Sequence, residues 1–259
     1  MRFWAHLLLS SFGATAPPPP VPCGTGIPAS APWANCTLNA SSYGPLPVVG
    51  VLFTTSDNGT QQLFDHAELC AVGNRLTMGP GFDVMVEGGG YGDVWLETQP
   101  MAGGMYAVRN LTLALNNQLI FMRTQRQDGR LPGMVSAGPT WTGTPKGSGV
   151  VHPTYAYPHQ STVSMLQGFF MATPAVDVAW FLNATGRPAL ADELLLELEP
   201  ALIRFNEWLW SARNSSHGVL WLNGTSDTGE DGSDRLSSIA SNPVHPPFES
   251  MDMMGYVVI

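Results

Sequence analysis

Residues 188–213 constrain the fold of this chain more than any other stretch. Leu190, Leu194, Leu198, Leu202, Phe205 and Leu209 recur there at helical spacing. That spacing lays a single apolar stripe along one side of a helix. Pro188 suits the first turn, where a missing N–H costs nothing, whereas Pro200 is expected to bend the helix. A second helix is expected over 160–183, with Leu166, Phe169, Phe170, Val176 and Trp180 on one side and a kink at Pro174. The connection at 183–187 is short, which predicts that the two helices pack as an antiparallel hairpin.

A third helical pattern occupies 100–125, where Met105, Val108, Leu111, Leu115, Leu119 and Met122 repeat at steps of three and four. It is expected to leave through the turn pair Asp128-Gly129. Ahead of it the pattern is strand-like but short. Residues 48–54 read as a buried strand, Asp57-Asn58-Gly59 as a turn, and 82–86 as another short strand, while 60–78 carry no clear period. Gly88-Gly89-Gly90 breaks the chain before Trp95. Residues 133–158, which hold Trp141, read as a long loop. Residues 219–222 read as a short strand, and a fourth helix is expected to begin near Phe248 or Glu249. Its apolar continuation to Ile259 leads us to expect a longer reading frame.

The first residues resemble an export signal. Arg2 is a short positive region, residues 3–9 a brief apolar core, and Ala14-Thr15-Ala16 a small-x-small cleavage site, so a signal peptide is expected over 1–16. No segment reaches about 18 unbroken apolar residues, and no membrane span is expected. Seven of the twelve asparagines (Asn35, Asn39, Asn58, Asn110, Asn183, Asn214 and Asn223) are followed at +2 by Ser or Thr. Chance would give about two, so N-glycosylation in a secretory lumen is expected. Of the three cysteines, Cys23 and Cys36 are close enough in sequence to close a short loop, but other pairings with Cys70 remain open. The six histidines show no metal-ligand spacing, and no metal or other cofactor is expected. A net charge of −9 argues against a nucleic-acid partner, which needs a basic face.

The chemistry concentrates in Ser226-Asp-Thr-Gly-Glu-Asp-Gly-Ser-Asp-Arg235. Asp227, Glu230, Asp231 and Asp234 crowd together in a chain whose charged residues make up only 12%. Like charges at close range raise one another's pKa, so one carboxyl can hold a proton near neutrality and act as a general acid. A solvated acidic turn or a weak calcium loop would have the same composition.

Several stretches resemble one family in order. They are Trp95-Leu-Glu97-Thr-Gln99-Pro-Met, then Gln125-Arg-Gln-Asp128-Gly-Arg-Leu-Pro132-Gly-Met at the end of a helix, Leu166-Gln167-Gly-Phe-Phe, Asp227-Thr-Gly229-Glu-Asp231-Gly-Ser233-Asp-Arg235, and Pro247-Phe-Glu249-Ser-Met-Asp252. Together they resemble the six-hairpin (α/α)6 glycosidases, closest to the mannosylglycerate hydrolase-like group, which is related to mannosyl-oligosaccharide glucosidases and trehalases. The resemblance covers residues 83–256; Ser226, Gly232 and Asp234 depart from the family pattern.

It implies a mainly α fold, an incomplete toroid with about four of the family's twelve helices, preceded by a small irregular or β segment. The expected organisation is a Pro/Ser-rich linker over 17–48, a small β-containing segment over 49–90 and a partial glycosidase domain over 91–259. The resemblance also implies inverting hydrolysis of an α-linked glucosyl or mannosyl unit in an oligosaccharide or glycoside. Asp231 matches the general acid, Trp95 and Glu97 an aromatic–acid pair at the first sugar subsite, Gln167 a contact to the sugar ring, and Arg235 a residue that shapes the acidic loop. The family's general base lies in its last helices, which have no counterpart here. The alternative expectation is a secreted carbohydrate-binding fragment without catalysis.

Overall fold

The computed structural model describes residues 21–24, 26–29, 36–38, 43, 53–88, 92–98, 100–101, 106–137, 150–155, 172–222 and 248–249. In chain order its main elements are β1 (Val21–Pro22), β2 (Cys36–Thr37), α1 (Asn58–Gly73), β3 (Arg75–Gly79), β4 (Phe82–Met85), β5 (Val94–Trp95), α2 (Leu111–Arg123), β6 (Met134–Ser136), β7 (Val150–Thr154), α3 (Ala172–Ala184), α4 (Pro188–Arg213), β8 (Trp221–Leu222) and β9 (Phe248–Glu249). The long elements are helical, and the strands are short.

The hairpin of α3 and α4 forms as expected, with α4 filling the whole of its anticipated range. Leu194, Leu198, Phe205 and Leu209 are buried together with Ala191 and Ala201. Each of the larger apolar side chains contributes about 1.5–3 kcal/mol by leaving water. The connection turns through Gly186, at φ 79°, and Arg187 N–H donates to the Leu182 carbonyl at 2.9 Å. The buried side of α3 differs from the expected one. Val176 and Trp180 are 58% and 68% exposed, while Ala175, Val178, Ala179 and Leu182 face the core. Those four stand at i, i+3, i+4 and i+7, and their two alanines allow close helix approach. Of the expected range 160–183, residues 160–171 lie outside the described residues.

Helix α2 is the central element: every residue but Thr112 and Arg123 is buried. Residues 100, 101 and 106 of the expected range are helical too, with 102–105 outside the described residues, and α2 starts afresh at Leu111, where the Asn110 side chain caps it by accepting from Leu113 N–H at 3.2 Å. A turn at 107–109 precedes the cap, and Val108, expected in the stripe, is 43% exposed. Three consecutive amides on α2, Asn116, Asn117 and Gln118, are fully buried. The Asn117 side chain accepts from Met85 N–H at 2.8 Å and donates to Met85 C=O at 3.1 Å. Asn116 donates to the Asp83 carbonyl at 2.7 Å. These bonds satisfy the side of β4 that no strand pairs among the described residues, so a helix completes the β3–β4 hairpin.

The end of α2 is tied to α4. The buried Gln125 amide donates to Gly129 C=O at 2.6 Å and Ala201 C=O at 2.8 Å, and its oxygen accepts from Arg204 at 2.7 Å. Arg123 donates to both oxygens of Glu197, at 2.8 and 3.2 Å, and the Tyr43 hydroxyl donates to the same carboxylate at 2.9 Å. The Asp128-Gly129 turn is confirmed. Gly129 sits at φ 95°, and a Cβ there would collide with the Arg204 carbonyl oxygen.

Other sequence expectations are corrected. Asp57-Asn58-Gly59 opens α1 rather than forming a free turn, because the Asp57 carboxylate accepts from Thr60 N–H at 2.9 Å as an N-cap. The untyped residues 60–78 continue α1 and then form most of β3. Phe53 and Thr54 are exposed and not in a strand; Phe53 instead meets the Phe64 ring of α1 at 4.8 Å between centroids. The rest of that expected strand, 48–52, lies outside the described residues. The 133–158 segment is not one loop, since it contributes β6 and β7. Phe248–Glu249 forms a strand paired with β8 rather than the start of a helix; the rest of the expected fourth helix, from residue 250, lies outside the described residues.

Five short strands form one sheet in the order β1-β2-β7-β6-β5, antiparallel except for β1 with β2. The first two come from the stretch expected to be a linker. Cys23 and Cys36 are disulfide-bonded there, and Ile27, Cys36 and Leu38 are at most 1% exposed within the main core. This part of 17–48 is therefore structural, held by burial and by the cross-link. Cys70 is exposed and unpaired.

Candidate functional site

The side chains of β5, β6 and β7 alternate between two environments. Val94 and Leu96, Val135 and Ala137, and Val151 and Tyr155 all enter the main apolar core. Their neighbours belong to the opposite face by the two-residue period of a strand. Those neighbours are Trp95, Met134, Ser136, His152 and Thr154. The register aligns them: Trp95 stands opposite Met134, Met134 opposite Thr154, and Ser136 opposite His152. This second face therefore carries an aromatic ring, a thioether, two hydroxyls and an imidazole.

Trp95 is half-buried, while Ser136, His152 and Thr154 are 2%, 5% and 3% exposed. Glu97 follows two residues after Trp95, in the turn that leaves β5, and is also half-buried. Backbone bonds hold this corner: Leu96 N–H donates to Gly133 C=O at 2.9 Å, and Gly133 N–H to Thr154 C=O at 3.0 Å. Gln118 of α2 donates to Pro100 C=O at 2.7 Å and fixes the chain just after the Trp95–Glu97 pair. Burial pushes the His152 imidazole below its ordinary range. At neutral pH it is uncharged, offering one donor and one acceptor nitrogen. The face thus combines a ring for apolar contact with hydroxyls and an imidazole, groups of the kind that orient polar, uncharged ligands.

Of the site residues read from the sequence, the structure thus brings Trp95 and Glu97 together at one sheet corner. Asp231, Gln167 and Arg235 lie outside the described residues, as does the rest of the acidic stretch. That stretch is carried between β8 and β9, whose strands pair antiparallel, Trp221 with Glu249 and Leu222 with Phe248. Trp221 is committed to packing: the buried Arg213 guanidinium lies 4.4 Å from its ring centre. Glu249 is exposed. Hydrogen bonds from Ser215 and from His217, the latter at 2.7 Å, keep its carboxyl below the usual carboxylate range.

Of the asparagines expected to carry glycans, Asn58, Asn183 and Asn214 are exposed and Asn110 is the half-buried cap of α2. Asn35, Asn39 and Asn223 lie outside the described residues. Among the described residues no helix is long and apolar enough to cross a membrane, and no cluster of His, Cys, Asp or Glu is placed to hold a metal ion.

Sequence reasoning missed Ser136, His152 and Thr154 because 133–158 read as loop. The signal was present in Val151-His-Pro-Thr-Tyr155, where apolar and polar residues alternate. The chain matches no protein-family model and no curated protein.

Proposed function

We propose that this chain is an exported glycoside hydrolase of the six-hairpin type, or part of one, acting on an α-linked glucosyl or mannosyl unit. The single observation that carries the reading is the ordered set of motifs from Trp95 to Asp252, with the acidic stretch at 226–235 among them. The half-buried Trp95 and Glu97 at a corner of the polar sheet face support it. An aromatic ring stacks on the C–H face of a pyranose, and a carboxylate accepts from paired sugar hydroxyls.

In this reading Asp231 is the general acid. Neighbouring carboxylates raise its pKa, so it holds the proton that passes to the departing glycosidic oxygen. Water attacks the anomeric carbon from the opposite side, assisted by a second carboxylate about 6.5–9.5 Å from the first, and configuration inverts. Gln167 contacts the sugar ring, and Arg235 orders the acidic loop. Trp95 and Glu97 hold the terminal sugar, with Ser136, His152 and Thr154 as neutral polar groups on the same sheet face.

The test is hydrolysis of aryl α-glucosides and α-mannosides by the secreted protein and its Asp231→Asn variant. The expected loss is about 10²-fold or more, the scale of general acid catalysis. Full hydrolysis by the variant overturns the assignment of the acid. Sugar binding without turnover in the unmutated chain would favour the carbohydrate-binding alternative.

A further inference from the structure

Helix α3 carries an apolar stripe on the side away from the core. Val176 is 58% and Trp180 68% exposed. Asn183 continues the same line at i+7 from Val176 and i+3 from Trp180, and it too is exposed. These spacings place the three side chains on one side of the helix. The line is distinct from the stripe of Ala175, Val178, Ala179 and Leu182 that packs into the core. A large indole so exposed on a helix side is unusual unless something covers it.

We propose that an N-linked glycan on Asn183 covers Trp180 and Val176. Asn183-Ala184-Thr185 is an acceptor sequence for asparagine glycosylation. The Asn183 side chain is exposed, and its backbone carbonyl accepts from Gly186 N–H at 3.0 Å. The first sugar of an N-glycan is attached directly to the side-chain amide nitrogen and lies within reach of a residue one helical turn earlier. Its pyranose presents a face of C–H groups to the flat indole, and its hydroxyls face water. The modification would then remove an apolar patch from solvent and cap the hairpin with a polar surface.

The other exposed acceptors lack this arrangement. Asn58 is the first residue of α1, and Asn214 follows the end of α4 in extended backbone. Asn183 sits inside the last turn of its helix, where the backbone holds it in register with Trp180. This inference rests on the export reading, because glycosylation requires passage through a secretory lumen.

The experiment uses the full chain secreted from a eukaryotic host, with glycopeptide mass spectrometry at each sequon and oxidative footprinting of Trp180. Asn183 is expected to be occupied. Trp180 labelling is expected to rise several-fold in Asn183→Gln, and to rise equally when the glycans of the unmutated protein, first sugar included, are removed enzymatically. A Thr185→Ser variant, which keeps the acceptor sequence and the hydroxyl, should label like the unmutated protein. Three results overturn the proposal. Unmodified Asn183 beside modified Asn58 and Asn214 overturns it alone. No glycan at any sequon overturns it together with the export reading. Equal protection of Trp180 with and without the glycan assigns the face to another occupant, such as a second copy of the chain, which sedimentation would reveal.

Discussion

The two faces of the five-stranded sheet are built from adjacent residues yet do opposite work. Val94, Leu96, Val135, Val151 and Tyr155 fill the apolar core. Trp95, Ser136, His152 and Thr154 alternate with them on the opposite, polar side, where all but the half-buried Trp95 are buried. A stability-only sheet covered by protein on both sides would be apolar on both. Buried hydroxyls and an imidazole contribute little to stability even when hydrogen-bonded, and they are costly when not. The contrast teaches that these strands serve as a scaffold: one face anchors them, and the other is left chemically versatile.

The strongest way to break this comparison is at Leu96, fully buried on the core face. Leu96→Ala should destabilise the protein by about 2–5 kcal/mol, read as a shift of the denaturant midpoint. A negligible shift would mean that the core does not depend on β5. Next comes Asn117, which holds both backbone groups of Met85. Asn117→Ala should cost about 1–3 kcal/mol by leaving a buried amide and carbonyl without those bonds. Asn117→Asp should recover part of the loss only below its own pKa, where the protonated carboxyl both accepts from Met85 N–H and donates to Met85 C=O; chemical denaturation across pH separates the two variants.

The smallest expected effect concerns His152. Burial depresses its folded pKa below the ordinary 6.5, so the unfolded chain takes up a proton more readily. Stability from this group is complete above pH 6.5 and declines as the pH falls toward the depressed folded value. His152→Gln should flatten that part of the stability–pH profile. An unchanged slope would assign the acid sensitivity elsewhere.

Legibility followed the length of the repeating pattern. Helix α4 shows its stripe over 26 residues, so its range, its first-turn proline and its buried leucines were all readable. Helix α3 was readable as an element but not in phase, because apolar residues occupy two of its sides and only packing chooses between them. The strands have two to five residues, too few for alternation to stand out from chance. Proline at 153 further disguised β7 as loop. Helix α1 buries none of its residues, so no apolar stripe announced it, and its Asp57 cap read as a free turn. Trp95 and Glu97 were singled out only through the resemblance of their stretch to a glycosidase motif. Ser136, His152 and Thr154 join them only through strand register, a long-range pairing that local sequence does not encode.

Trp95 and Leu96 are neighbours that point to opposite faces, and their separation is the most direct measure of the account. Calorimetric titration with α-glucosyl and α-mannosyl ligands should be run on the unmutated chain, Trp95→Ala and Leu96→Ala, each under conditions where it is folded. The account predicts that Trp95→Ala loses about tenfold or more in affinity, about 1.4 kcal/mol, with little change in unfolding midpoint, whereas folded Leu96→Ala binds nearly as the unmutated chain does. Unchanged sugar affinity in Trp95→Ala, or no sugar binding by the unmutated chain, would contradict it.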